Sequence, residues 1–181
     1  MDQLRPFSSD PNSAAFNVFG DLDFRKGELR IRYRILGPID ELVLPMPVEN
    51  PQFREELWNA TCLEIFLQQA DSTAYEEWNF SPSGNWAYFH FQDYRQASGG
   101  ALRLQPLTPL QIIRNDHQLL LQVDIPLYQT WTHIDQALHY GLTAILQKKS
   151  GEKLYWAMHH GADKPDFHLA QSFVGRHHLR Q

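Results

Sequence analysis

Glu64 and Asn79 are polar residues inside short apolar segments of the sequence. Glu64 lies between Leu63 and Ile65, and Asn79 follows Trp78. Side chains alternate between the two faces of a strand, so each polar group projects away from its apolar neighbours. A carboxylate accepts two hydrogen bonds at once, and an amide both donates and accepts, which suits a ligand with several hydroxyls. We predict that both residues line a binding groove; an exposed or salt-bridged Glu64 is the alternative.

Aromatic residues alternate along a later segment, where Trp86 and Tyr88 share one face and Ala87 and Phe89 share the other. Trp and Tyr rings stack on the apolar faces of sugar rings while neighbouring polar groups bind the hydroxyls. We therefore predict that Trp86 and Tyr88 line the groove, together with Trp156 from a second alternating segment. The alternative is that both faces are buried inside a sandwich.

Arg95 and His168 are the charged and titratable candidates at the border of the groove. Arg95 follows Asp93 by two positions and is able to bind a ligand carboxylate or to pair with Glu64 or Asp93. His168 follows Asp166, which either orients the imidazole or caps a helical turn.

The most specific geometric prediction is that Glu64, Trp86 and Arg95 face one shared cavity. Segments 62–68, 75–81 and 85–92 are expected to be neighbouring strands, with a turn at 81–84 between the last two. A buried Glu64 needs a partner, and Arg95 is the nearest cation in this topology. Trp86 would then supply a flat apolar wall.

Cofactor and catalytic motifs are weak in this sequence. Met158 and a nearby His could ligate haem iron. Four possible metal ligands lie close together in sequence, namely His159, His160, Asp166 and His168, but their spacing matches no closed zinc motif. We therefore expect no metal and no cofactor. The sequence has no nucleophile elbow and no Gly-rich phosphate loop. Paired carboxylates for glycoside hydrolysis could come from Glu64, Glu77 and Asp166.

The overall composition excludes several partner classes. Lys and Arg number 16 and Asp and Glu 21, which gives a net charge of −5, and no basic stripe is present to bind nucleic acid. No segment is apolar enough for a signal peptide or a membrane span. The single Cys62 is typical of a reducing compartment. We therefore expect a cytoplasmic protein without nucleic-acid or membrane partners; its oligomeric state does not follow from the sequence.

The elements that must position these residues are short strands separated by frequent turn signals. In Glu28–Leu36, Leu29, Ile31, Tyr33 and Ile35 share one face, which predicts a strand with one face in the core. The successive hairpins in the sequence predict an antiparallel β-sandwich with one or two short helices, as one domain over residues 1–181. Other strands are predicted at 16–24, 110–114, 118–125, 140–147 and 153–159, and helical turns at 51–58, 126–136 and part of 166–173.

The sequence from residue 58 onward resembles a known family. The resemblance is carried by segments 58–67, 75–88, 91–95, 125–126, 155–158 and 164–168. Its most specific parts are the run from Asn79 to Trp86 and the tetrapeptide from Pro165 to His168. These segments are similar to the DOMON-like domains of bacterial proteins, which are related to family 9 carbohydrate-binding modules. The resemblance implies a jelly-roll-like β-sandwich with a ligand groove, in a superfamily whose members bind sugars or haem.

The residues and the resemblance together predict a non-catalytic ligand-binding module. Its expected ligand is a carbohydrate or another small polyhydroxylated or acidic molecule in a groove on one sheet. A haem-binding electron-transfer domain and a glycan-acting hydrolase are the alternatives. The predicted ligand-binding residues are Glu64, Asn79, Trp86, Tyr88, Arg95, Trp156 and His168.

Overall fold

The computed structural model describes residues 1–25, 27–98, 104–127 and 137–178. Within them the chain is an antiparallel β-sandwich with very little helix, which confirms the predicted antiparallel sandwich; the jelly-roll arrangement stays a prediction. The strands, in chain order, are β1 (Asp2–Gln3), β2 (Arg5–Pro6), β3 (Asn17–Arg25), β4 (Glu28–Leu36), β5 (Cys62–Gln69), β6 (Tyr75–Phe80), β7 (Trp86–Asp93), β8 (Gln96–Ala97), β9 (Gln111–Asn115), β10 (Gln118–Pro126), β11 (Ala137–Gln147), β12 (Lys153–Ala157) and β13 (Gly175–His178).

The strands of the described residues form two sheets. The smaller sheet has five strands in the order β1-β3-β4-β10-β9. The larger sheet has eight strands, seven of them in the order β2-β12-β11-β5-β6-β7-β8, and β13 pairs with β11. The apolar core lies between the two sheets, because each sheet turns one apolar face toward the other.

The smaller sheet follows the alternation that the sequence predicts. The four apolar residues of β4 have at most 1% of their surface exposed and lie in the core: Leu29, Ile31, Tyr33 and Ile35. The Arg residues between them lie on the opposite face, where Arg30 forms a bidentate ion pair with Asp124 of β10 at 2.7 and 2.8 Å. This sheet therefore has one buried face and one hydrated, charged face.

The larger sheet is buried on both faces at its centre. In β5, the side chains of Leu63, Ile65 and Leu67 lie in the core between the sheets. Glu64 and Phe66 project to the opposite, outer face and are still buried. A strand that is buried on both faces requires a second layer over the sheet, and loops with aromatic side chains provide it.

Tyr33 connects the two sheets directly. Its ring is fully buried in the core and its hydroxyl donates a hydrogen bond to the backbone carbonyl of Glu64. Because the donor belongs to β4 and the acceptor to β5, this bond fixes the central strand of the larger sheet from beneath. The backbone that carries Glu64 is therefore held by its sheet neighbours and by the opposite sheet.

Helical structure is limited in the described residues. A single α-helical turn, α1 (Pro11–Ala14), begins after the N-cap Asp10, which accepts a hydrogen bond from the Ser13 amide. 3-10 turns occur at Ile39–Glu41, Leu57–Asn59 and Ala170–Ser172. The last of these confirms the helical turn predicted within 166–173, whereas most of the turn predicted at 126–136 lies outside the described residues.

The helical turn predicted at 51–58 is wrong for most of its length. The backbone of this segment pairs with the start of β7 instead: the Trp86 amide donates to the Gln52 carbonyl at 3.3 Å, and the Arg54 amide donates to the Trp86 carbonyl at 2.9 Å. Backbone groups that bond to a strand are not free to close helical turns. Among the described residues, no helix is long and apolar enough to cross a membrane.

Candidate functional site

A cavity of about 480 Å³ lies on the outer face of the larger sheet. Its floor consists of side chains from β5, β6, β7, β11 and β12, and its walls come from the segments around Trp58 and Phe167. Aromatic and charged residues make up most of its lining, which consists of Trp58, Glu64, Glu77, Phe89, Phe91, Arg95, Ala97, Ile145, Lys153, Tyr155, Pro165, Phe167 and His168.

Two carboxyl groups, those of Glu64 and Glu77, form the polar part of the floor. In the register of β5 and β6, Glu64 pairs with Asn79 and Glu77 pairs with Phe66, so the two carboxylic residues are diagonal neighbours on the same face. Only 3% of Glu64 and 5% of Glu77 is exposed. Two carboxyl groups are therefore buried side by side under the cavity.

The environment of Glu64 favours its protonated form. Burial raises the pKa of the Glu64 carboxyl to about 8, and the neighbouring Glu77 carboxylate adds to the rise. The Thr143 hydroxyl donates to Oε2 of Glu64 at 3.1 Å and opposes this effect by stabilising the charged form. Cys62, also fully buried, acts in the same direction on the pKa of Glu64.

Glu77 is held by Asn79 of its own strand. The Asn79 amide nitrogen donates to Oε1 of Glu77 at 2.8 Å, and its amide oxygen lies 3.8 Å from the Cys62 sulfur. Burial raises the pKa of the Glu77 carboxyl to about 7, against the opposing effects of the Asn79 amide and of Arg95. Each of the two carboxyl groups thus has polar protein partners and keeps further acceptor positions for a ligand.

His168 stands beside this pair in its neutral form. Burial and the nearby Arg95 lower the pKa of His168 to about 4. Its Nδ1 lies 2.8 Å from the Tyr75 hydroxyl, which accepts a hydrogen bond from the Arg95 backbone amide at 3.1 Å. Burial raises the pKa of Tyr75 to about 12, so the phenol keeps its proton.

The proton of Tyr75 is accordingly available to His168 Nδ1, which places the imidazole proton on Nε2. That nitrogen faces Oε2 of Glu77 at 3.9 Å. A separation of 3.9 Å is too long for a hydrogen bond, and a neutral imidazole forms no ion pair. A ligand hydroxyl or a water molecule placed between Nε2 and the carboxyl could bond to both.

A cluster of Tyr94, Arg95 and Asp166 closes one side of the cavity; we call it the latch. The Arg95 guanidinium lies 2.9 Å from Oδ1 of Asp166, and the Tyr94 hydroxyl donates to Oδ2 at 2.5 Å. The His168 amide also donates to Oδ1 at 3.1 Å. Arg95 has a φ of 53°, which is uncommon for a residue with a Cβ. These contacts connect the loop after β7 to the segment that carries His168.

Aromatic rings form the apolar walls. Phe89 lies 6.1 Å from Trp58 on one side, and Tyr155 lies 6.1 Å from Phe167 on the other, measured between ring centroids. Lys153 lines the same space and donates from Nζ to the Trp58 carbonyl at 2.9 Å. The cavity thus combines ring faces with both signs of charge.

The prediction that Glu64, Trp86 and Arg95 face one shared cavity is wrong for Trp86. Trp86 and Tyr88 lie on the core face of β7, where they pair with Phe80 and Trp78, and the Trp86 indole nitrogen donates to the Leu104 carbonyl at 3.2 Å. Trp156 likewise belongs to the core. The rings that line the cavity belong to the alternate residues of the same strands, Phe89, Phe91 and Tyr155.

The remaining predicted residues are on the expected face. Glu64, Arg95 and His168 line the cavity, and Asn79 lies fully buried beneath it. The proposed pairing of Arg95 with Glu64 is wrong, because the guanidinium bonds Asp166 instead. Ligand binding by these residues stays a prediction.

A signal for the correct face was present in the hairpin between β6 and β7. The short turn after Phe80 pairs this residue with Trp86, and cross-strand partners lie on the same face. Asn79 and Phe80 alternate, so Asn79 and Trp86 must lie on opposite faces. Among the other lining residues, Glu77 lies two positions before Asn79 and therefore projects to the same face of β6. No local sequence pattern predicts that Trp58 or Phe167 lines the cavity.

The histidines suggested as ligands are dispersed. His159 is exposed, His160 bonds the Arg5 carbonyl through Nε2 at 2.9 Å, and His168 lies in the cavity. Met158 packs against the core on the other side of the sheet from His168. In the described parts of the chain, no group of three or more His, Cys, Asp and Glu side chains is placed to hold a metal ion.

No protein-family model matches the sequence, and no curated protein matches it. Solved structures with a similar fold include a candidate carbohydrate-binding protein from Bacteroides uniformis, with a TM-score of 0.61 and 13% sequence identity over 94% of this chain and 84% of that one. A family 9 carbohydrate-binding module from Caldicellulosiruptor kristjanssonii, in complex with cellotriose, gives a TM-score of 0.59 at 12% identity over 96% and 78% of the two chains.

A family 9 module from the same organism in complex with glucose gives a TM-score of 0.53 at 15% identity, over 91% of this chain and 77% of that one. At such low identities the similarity shows a shared fold. This fold is the one that the resemblance to family 9 modules implied. The narrower assignment to DOMON-like domains stays a prediction.

Proposed function

We propose that the protein is a non-catalytic module that binds a carbohydrate or a similar polyhydroxylated molecule in the cavity on the outer face of its larger sheet. The observation that carries the proposal is the buried pair Glu64 and Glu77 beneath walls of aromatic rings. Solved structures that share the fold include modules in complex with cellotriose and with glucose, which supports the same ligand class.

The floor of the cavity is suited to hydroxyl donors. Glu64 and Glu77 accept hydrogen bonds from Thr143 and Asn79 respectively, and a carboxyl oxygen has lone pairs for more than one partner. A sugar hydroxyl bonded there also reaches the gap between Glu77 and His168 Nε2. Ring faces of Trp58 and Phe89 then cover the apolar C–H surface of the sugar.

A neutral ligand fits this cavity better than an acidic one. The charge of Arg95 is already paired with Asp166, and the Lys153 ammonium, which donates to the Trp58 carbonyl, lies near enough to Glu64 to lower its pKa. A ligand carboxylate near Glu64 would oppose the charge that Glu77 carries and raise the cost of desolvation. The proposal therefore favours a neutral sugar among the ligands that the sequence left open.

Isothermal titration with a panel of neutral and acidic sugars tests the proposal. We expect a neutral sugar to bind and the Glu77→Gln variant to lose at least about tenfold in affinity, equivalent to about 1.4 kcal/mol. Glu55→Gln, which changes an exposed carboxylate outside the cavity, is the matched control and should bind like the original protein. Binding that is unaffected by Glu77→Gln, or no binding by any sugar, would contradict the proposal.

A glycan-acting hydrolase is the second candidate, and the Glu64–Glu77 pair is the observation that favours it. Glycosidases use two carboxyl groups, one of which is protonated at working pH. The pKa values of about 8 and about 7 permit such a state. Incubation of the bound glycan with the protein, followed by chromatography, separates the two functions: intact glycan supports a binding module, and cleavage abolished by Glu64→Gln supports the hydrolase.

A further inference from the structure

A second cavity, of about 250 Å³, adjoins the proposed ligand cavity at the edge of the larger sheet. Lys153, Tyr155 and Pro165 line both cavities. The two spaces are thus separated by a single row of side chains. We call the second one the edge cavity.

The edge cavity is built by the N-terminal segment. Strand β2 pairs with β12 through Pro6 and Trp156, and the Phe7 amide continues this pairing by donating to the Tyr155 carbonyl at 2.8 Å. Three strand spacings separate β5, which carries Glu64, from β2, or about 14 Å at roughly 4.8 Å for each pair. This distance is longer than one sugar ring.

The lining of the edge cavity repeats the chemistry of the first. The ring of Phe7 is half-buried and lies against His160 with 5.2 Å between ring centroids, so part of it faces the cavity. Ser8, Asp10 and Glu152 supply polar groups around the ring. An aromatic surface with several hydroxyl-binding groups is the combination that holds a sugar ring.

The opposite side of the first cavity is blocked. A cavity of about 430 Å³ lies beyond it and shares the lining residue His168, but the bond between Tyr75 and His168 and the latch stand between the two. A ligand that extended in this direction would have to break several hydrogen bonds. Toward the N-terminal segment, the row between the two cavities has, among the described residues, a single side-chain hydrogen bond, from Lys153 to the Trp58 carbonyl.

We propose that the edge cavity is a second subsite, which holds a further unit of a linear ligand whose terminal unit lies over Glu64 and Glu77. The ligand class is a neutral oligosaccharide long enough to span both cavities. This inference rests on the proposed function of the first cavity. It adds the direction of the chain and assigns a binding role to Phe7, Ser8, Asp10 and Glu152.

Titration with glucose, cellobiose and cellotriose tests the second subsite, with the xylose and N-acetylglucosamine series measured in parallel. In the series that binds, we expect the longer sugars to bind at least about tenfold more tightly than the monosaccharide, because one more stacked and hydrogen-bonded ring contributes about 1.4 kcal/mol or more. Ser8→Trp fills the edge cavity and should reduce the affinity for the longer sugars to that of the monosaccharide. Ser9→Trp places the same bulk at an exposed neighbour that does not line the cavity, and it should change neither.

Binding of the monosaccharide reports whether the Ser8→Trp protein is folded, and Glu152→Ala, which adds no bulk, should weaken only the longer sugars. Equal affinity for the monosaccharide and longer sugars in the original protein, or equal effects of Ser8→Trp and Ser9→Trp, would overturn the second subsite while leaving the proposed function intact. Absence of binding for every sugar, the monosaccharides included, would overturn the proposed function and this inference with it.

Discussion

The Tyr75 hydroxyl and Nδ1 of His168 lie 2.8 Å apart, and Tyr75 at the same time accepts the Arg95 backbone amide at 3.1 Å. This arrangement leaves the phenol proton for the imidazole, which burial keeps neutral beside a buried carboxyl pair. The residues come from β6, from the loop after β7 and from the segment after β12. Three distant parts of the chain therefore fix one side of the cavity.

The protonation state of His168 can be measured directly. Because burial lowers its pKa to about 4, we expect nitrogen NMR to show a neutral ring with the proton on Nε2 and no titration between pH 5 and pH 8. Tyr75→Phe removes the donor and should raise the fraction with the proton on Nδ1. A ring that titrates near its ordinary pKa of 6.5, or one with the Nδ1 proton in the original protein, would contradict this assignment.

The carboxyl pair makes stability depend on pH. The pKa values of Glu64 and Glu77 are raised above their ordinary value of 4.5, so the folded state holds these protons more tightly than the unfolded state does. Their contribution to the free energy of unfolding is fully present below pH 4.5 and is lost as the pH rises through 7 to 8. Urea unfolding should show that Glu64→Gln raises the free energy of unfolding, compared with the original protein, more at pH 8 than at pH 5. Glu55→Gln, on the exposed surface, should give the same difference at both pH values.

The two tryptophans Trp58 and Trp86 should respond in opposite ways to replacement. Trp86→Ala removes a ring that packs on the core and should lower the free energy of unfolding by about 3 kcal/mol with little change in ligand affinity. Trp58→Ala removes a cavity wall and should weaken ligand binding at least about tenfold. Chemical unfolding and titration of both variants compare them. Loss of binding in Trp86→Ala with unchanged stability would restore the groove role that the sequence suggested.

The latch is expected to matter more for binding than for stability. The Arg95 side chain is about half-exposed, and ion pairs of exposed side chains contribute about 0.2–1 kcal/mol. The Asp166 side chain is buried, but it keeps the Tyr94 hydroxyl and the His168 amide as donors when Arg95 is removed. Arg95→Ala should therefore lower stability by no more than about 1 kcal/mol while reducing affinity, since Asp166 and His168 lose their common support. Arg25→Ala breaks an exposed ion pair of the same 2.9 Å length with Asp23 and is the matched control. Equal affinities of these two variants would show that the latch has no part in binding.

Sequence patterns predicted the strands of this fold better than the direction in which their faces point. In β4 the alternation is between apolar residues and arginines, so the buried face follows from polarity alone. In β7 and β12 both faces carry aromatic rings, and polarity does not distinguish them. Partner strands decide which face is inside: Trp78, paired with Ile65, brings Tyr88 and Trp86 into the core.

The candidate site was predictable where one residue dominates its surroundings and not where distant loops meet. In β5, Glu64 lies between the aliphatic Leu63 and Ile65. Because these two side chains face the core, the Glu64 side chain projects to the opposite face of the sheet. Trp58, Phe167 and Asp166 reach the cavity only because segments far apart in sequence fold over the same sheet. Contacts between such distant segments depend on the topology of the whole fold, and the local alternation of polar and apolar residues does not predict them.

The bond between Tyr33 and the Glu64 carbonyl holds the floor of the cavity from the core side, and the floor and the rim should differ in hydrogen exchange. The amides of β5 are flanked by β6 and β11 and covered on both faces, so they should exchange with solvent only when the whole domain unfolds. The rim at Tyr94 and Arg95 is exposed and should exchange through small local openings. A ligand in the cavity would therefore rest on a floor that stays unchanged for the lifetime of the folded state, beside a rim that opens locally.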